Sequence, residues 1–76
     1  MKSKEVVKEI MAKFNVSQTK LAERMGVKSR QVVGMRLTQN DISIKKLYEM
    51  LRVLDYKIVI VPRETRLPDG CYEVES

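Results

Sequence analysis

Residues 17–37, SQTKLAERMGVKSRQVVGMRL, decide how the rest of the chain is read. Leu21, Ala22 and Met25 fall at the offsets that gather apolar groups on one side of a helix. Ser17 is suited to cap that helix, because a serine hydroxyl accepts from a first-turn amide that has no partner within the helix. Gly26 stops it, since glycine enters the left-handed region without a steric penalty. Val27 continues the apolar core across the turn, and residues 29–37 carry a second apolar set at Val32, Val33, Met35 and Leu37. The expectation is two short helices broken at Gly26.

The polar residues at the start of the second helix are Ser29, Arg30 and Gln31. Arginine and glutamine each make paired hydrogen bonds to a purine edge, and the N-terminal side chains of a helix lying in a major groove come nearest the bases. Helix, glycine turn and helix in that order is the geometry of a helix-turn-helix reader. Ser29, Arg30 and Gln31 are therefore the first base-reading candidates, with a phosphate contact as the alternative for each.

Charge supports that reading without requiring it. The 76 residues hold 15 basic and 10 acidic side chains, for a net charge of +5. Residues 1–46 carry eleven Lys or Arg against four Asp or Glu, whereas residues 62–76 carry two against four. Positive charge thus collects around the reading unit, and the tail is acidic. A chain of this length buries only a modest core, so a second copy is an early expectation.

Other chemistries find little here. With no histidine and one cysteine, Cys71, the chain lacks a Ser-His or Cys-His pair, an intrachain disulfide and a conventional zinc set. There is no glycine-rich phosphate loop and no clustering of carboxylates for acid-base work. No enzymatic role, metal or cofactor is expected. The opening MKSKEVVKEI lacks the apolar run of a leader, and no stretch approaches a membrane span, so a cytoplasmic location without membrane contact is expected.

Outward from the central stretch, Val6, Val7, Ile10, Met11 and Phe14 form the stripe of a first helix over residues 4–14, with Ser3 as its cap. Asn15 supplies a left-handed junction, and Val16 packs into the core. After a loop at residues 38–41, Asp41 or Ser43 caps a fourth helix whose stripe is Ile44, Leu47, Tyr48, Leu51 and Leu54. The period then changes. Tyr56, Ile58 and Ile60 alternate with Lys57, Val59 and Val61, which predicts a strand ended by Pro62. Pro68-Asp69-Gly70 is a turn signal, and residues 71–75 are a second strand. The whole is one domain, residues 1–76, with residues 56–76 a hairpin extension. Its apolar faces at Ile58, Val59, Ile60 and Val61, with Leu54 and Tyr56 beneath, suit pairing with a second copy better than exposure as an edge.

Several residues have two readings. Gln18, at the start of the second helix, is either an uncommitted polar residue or a brace between a phosphate and the reading helix. Ser17, beyond capping, sets a helix N-terminus where a phosphate would be favoured. Gly34 costs helix stability relative to alanine, so it marks either a close approach to DNA, or a tight contact with another helix or a merely tolerated weak point. Lys28 in the turn, Arg36 at the helix end, Asn40 in the loop and Lys45 are candidates for the phosphate backbone, against a solvated surface.

At SQTKLAERMGV, with the apolar trio Val27, Val32 and Met35 after it, the chain resembles the Cro/repressor-type helix-turn-helix family of bacterial and phage regulators over about residues 4–54. The resemblance implies a mainly α, lambda-repressor-like bundle of about four helices binding operator DNA as a two-fold dimer. It places base reading at Ser29, Arg30, Gln31 and Gly34, puts Gln18 at a backbone-binding, bracing position, and sets Lys28, Arg36, Asn40 and Lys45 near phosphate-contacting positions. Glycine at position 34 departs from the polar residue common there, and Arg36 and Thr38 replace a frequent Glu and Gly. Two copies reading one face of a duplex predict an imperfectly palindromic operator, with repression by promoter occlusion the simplest mechanism and activation requiring only a different site position. The rivals are an antitoxin that also binds a toxin through its tail, and a protein-interaction module without DNA binding.

Overall fold

A computed structural model describes residues 1–75. It contains four helices: α1 (Ser3–Lys13), α2 (Gln18–Met25), α3 (Arg30–Thr38) and α4 (Ile44–Arg52). α2 packs on α3 and α4, and α1 packs on the same two helices, so α3 is held from behind by both. The core at this junction is Val7, Ile10, Leu21, Val33 and Met50, all fully buried.

Three of the four helices end by the same device. The N–H of Val16 donates to the carbonyl of Met11 at 2.8 Å, that of Val27 to Ala22 at 3.1 Å, and that of Tyr56 to Leu51 at 2.9 Å. In each case the residue before the donor is left-handed: Asn15 at φ 56°, Gly26 at φ 74° and Asp55 at φ 64°. This arrangement satisfies a carbonyl of the last helical turn and folds the next apolar residue back onto the helix just left. Val16 is buried, and Val27 and Tyr56 pack against the core. Asn15 and Gly26 perform as the sequence suggests. Asp55 is the third such residue, tolerated because a short polar side chain suffers least in this region.

Helix starts are less uniform. The Ser17 hydroxyl accepts from the Lys20 amide at 3.1 Å, and Ser43, rather than Asp41, caps α4 by accepting from Lys46 at 3.3 Å. Ser3 is not the cap of α1. Lys2 occupies that place without a side-chain bond, and Ser3 is a buried first-turn residue.

Several apolar residues assigned to the core lie outside it. Phe14 falls beyond the last turn of α1, more than half exposed, and meets the edge of Tyr56 at 6.3 Å between ring centroids. Ile44 and Tyr48 are exposed because α4 buries Leu47, Met50 and Leu51 instead, with Leu54 buried just after its end. On α3, Val33 and Leu37 are buried, Val32 is half-buried and Met35 is 68 % exposed.

The expected hairpin does not form: among the described residues there is no β-strand. Residues 56–62 leave α4 in irregular backbone without a ladder partner. Two turns, closed by Thr65 N–H to Pro62 carbonyl at 3.0 Å and Cys71 N–H to Pro68 carbonyl at 3.3 Å, then redirect the chain. The Pro68-Asp69-Gly70 turn is thus present, but it delivers the last residues to the amino end. Glu75 N–H donates to the Met1 carbonyl at 2.8 Å, and the Met1 ammonium lies 3.3 Å from both the Glu73 carbonyl and the Glu75 carboxylate. A lone two-stranded ribbon is marginal in water. Here the backbone at Met1, with Tyr72 against Tyr56 at 6.1 Å, takes the place of that pairing. Ser76, the last residue of the expected extension, lies outside the described residues.

Candidate nucleic-acid interface

The buried positions of α3 fix which way its other side chains face. With Val33 and Leu37 inward, Gln31, Met35 and Thr38, at offsets of four and seven residues, form the stripe turned away from the core. Ser29 precedes the helix as its cap and makes no side-chain capping bond, while Arg30 and Gln31 open the helix with exposed side chains. Gly26 aims this helix, because the left-handed turn after α2 lets Val27 return to the core while residues 28–31 stay outside.

Gln18 and Gly34 are brought together. A β-carbon added to Gly34 would stand 3.3 Å from the Gln18 side-chain oxygen and meet nothing else within 4 Å. Glycine therefore leaves the recess into which the Gln18 amide of α2 reaches over α3. That separation is tighter than most β-carbon contacts, but the neighbour is the far end of an exposed, flexible side chain that swings aside easily. Gly34→Ala should consequently gain helix propensity and raise stability by about 0.5 kcal/mol. Thermal unfolding checks this, and a lowered midpoint would mean that Gln18 is rigidly held.

Arg36 is drawn elsewhere. Its Nη1 donates to Glu49 Oε1 on α4 at 3.0 Å, and its side chain is only 16 % exposed. The guanidinium ties the end of α3 to α4 and is largely withdrawn from the surface. Lys28, Asn40 and Lys45 are exposed, in the turn before α3, the loop after it and the first turn of α4 respectively. Ser17 caps α2 beside Gln18.

Met35, expected in the apolar set, and Thr38 belong instead to the outward stripe, and neither is among the candidate site residues that the sequence suggests. Counting four and seven residues from Gln31 would have found them, once Val33 and Leu37 were known to be the inward pair. No acidic residue occurs between Glu23 and Asp41, while Arg24, Lys28, Arg30 and Arg36 do. The whole turn and α3 are thus without negative side chains. Among the described residues no group of His, Cys, Asp and Glu could hold a metal ion, and no helix is long and apolar enough to cross a membrane.

A short helix seated on a bundle, ending in a glycine turn and followed by a second helix with its polar start exposed, defines a helix-turn-helix protein. The family pattern for helix-turn-helix proteins matches residues 7–61, and the chain belongs to that family. It is 38 % identical over 52 residues to a protein described as an uncharacterized HTH-type transcriptional regulator of Archaeoglobus fulgidus, a match covering 68 % of this chain and 73 % of the relative. No solved structure matches the chain.

Proposed function

We propose that the chain is a single DNA-binding domain that regulates transcription, acting as a homodimeric repressor on an imperfectly palindromic operator. The observation that carries this reading is the exposed start of α3, where Ser29, Arg30 and Gln31 project from a helix and turn lacking any acidic residue. Such a face meets phosphates without repulsion and offers two side chains suited to purine edges. The similarity to an HTH-type transcriptional regulator points the same way.

In this reading Arg30 and Gln31 read bases, with Ser29 beside them and Gly34 allowing close approach. Gln18, Lys28, Asn40 and Lys45 hold the phosphate backbone, and the N-terminus of α2 behind Ser17 adds its dipole. Arg36 acts through Glu49, fixing the angle of α3. Two copies present their reading helices about 34 Å apart, one turn of the duplex.

The dimer is formed by the tail. Ile58, Val59, Ile60 and Val61 are all exposed, Ile60 at 97 %, in a segment whose backbone has no ladder partner. They border an open groove of about 840 Å³ between the tail and the α1–α4 surface, where Ile10 and Leu51 lie at the base. Strand addition from a second copy would complete the hydrogen bonds of residues 57–61 and cover this apolar surface. Leu54, buried in the core, and Tyr56, between Phe14 and Tyr72, support the segment from beneath. A toxin occupying the same groove would instead appear as a heterodimer.

Selection of bound sequences from a random duplex pool tests the reading. The wild-type chain should enrich a two-fold sequence, with affinity falling steeply as salt rises. Arg30→Ala and Gln31→Ala should each relax the choice at one position per half-site, costing about 1–3 kcal/mol there. Uniform weakening at every sequence would reassign that side chain to phosphate, and the absence of salt-dependent duplex binding would overturn the function.

A further inference from the structure

We infer that Met35 is a specificity-determining residue that recognises the 5-methyl group of a thymine in the major groove. This rests on the proposed function of α3 and identifies a base contact that polar residue types do not suggest.

Met35 is a large apolar side chain that the core leaves uncovered. It is 68 % exposed at the middle of the outward stripe of α3, between Gln31 one turn earlier and Thr38 one turn later. The Thr38 hydroxyl donates to the Met35 carbonyl at 2.8 Å, so that polar group is committed to the helix itself. The centre and far end of the stripe are therefore apolar, while its start at Arg30 and Gln31 is polar.

The surroundings select the occupant. The flanking charges, Lys28 and Arg30, are basic, and no acidic residue lies between positions 23 and 41. A second copy of the chain would be drawn to the apolar groove beside the tail, to which α3 contributes no residue. A polyanion that also presents an apolar group at helix depth satisfies both features. In the major groove of a duplex that group is the thymine methyl, the one apolar mark in the pattern of base edges. The unbranched thioether has the length and adaptability to reach it.

The test uses the full chain and the duplex enriched from a random pool, with each thymine of the half-site replaced in turn by deoxyuridine, which removes only the methyl. For the wild-type chain one such replacement should weaken binding about three- to fivefold, the effect of losing one buried methyl. Met35→Ala should bind the thymine duplex more weakly by a similar factor and show no further loss on that replacement. Because Met35 is exposed, the variant should unfold at the wild-type temperature. Salt-dependent, selective binding in which Met35→Ala and wild type respond alike to every replacement, or an enriched half-site without thymine, would overturn the assignment of Met35 alone. Failure to bind any duplex would overturn it together with the DNA-binding function.

Discussion

Ile58→Lys combined with Ile60→Lys should convert the protein into a folded monomer whose apparent affinity for its operator is lower by at least about 100-fold. Ile60 is 97 % exposed and Ile58 38 %, and neither belongs to the buried core, so the helices keep their packing. Lysine on an edge segment opposes pairing with another strand, because addition of a partner would desolvate the ammonium groups and set like charges close together. Binding to two half-sites by linked copies exceeds the affinity of one by about 10²- to 10⁴-fold, and that gain vanishes when the copies separate. Sedimentation should show the mass halved, circular dichroism should show unchanged helix, and the salt dependence of duplex binding should fall toward half its original slope. A variant that stays dimeric would remove the tail from the interface, and a wild-type monomer would remove the dimer.

Leu21→Ala should destabilise the fold by about 3 kcal/mol. Leu21 is fully buried in the same core as Val33, on the element that carries α3. A domain of this size has a total stability of roughly 4–11 kcal/mol, so the loss is a large part of the whole. Thermal unfolding at fixed protein concentration should show the midpoint lowered by roughly 12–24 °C. A shift of less than about 4 °C would mean that the α2–α3 core collapses around the missing atoms more completely than cores of this kind do. Because Leu21 holds the platform from which α3 projects, duplex binding should weaken only at temperatures where the variant begins to unfold.

The departures between sequence and structure have a common cause. Helix positions were legible where one apolar stripe was unambiguous, as at Val6, Val7, Ile10 and Met11, or where a chain stop was chemically distinct, as at Asn15 and Gly26. They failed where two arrangements were locally equivalent. α4 offered Ile44 and Tyr48 as readily as Leu47 and Met50, and residues 56–61 offered a strand that finds no ladder partner among the described residues. Alternation records that a segment favours extended backbone and says nothing of what lies beside it. The tail instead met Met1, a contact across almost the full length of the sequence that no local pattern encodes.

The sequence by itself determined the four-helix, glycine-turned unit, the positive charge gathered around it, and the candidate reading residues Ser29, Arg30 and Gln31, because each depends on residue type and near-neighbour spacing. Only the tertiary structure decided which side of α3 faces outward. Val32 with Met35 and Val33 with Leu37 are rival stripes whose directions differ by roughly 150° of rotation about the same helix axis. The choice between them rests with the surfaces of α1 and α2 behind it, and with the pull of Glu49 on Arg36. That rotation buries Val33, brings Gln18 over Gly34, and leaves Met35 at the surface, a result of packing between segments that local periodicity cannot register.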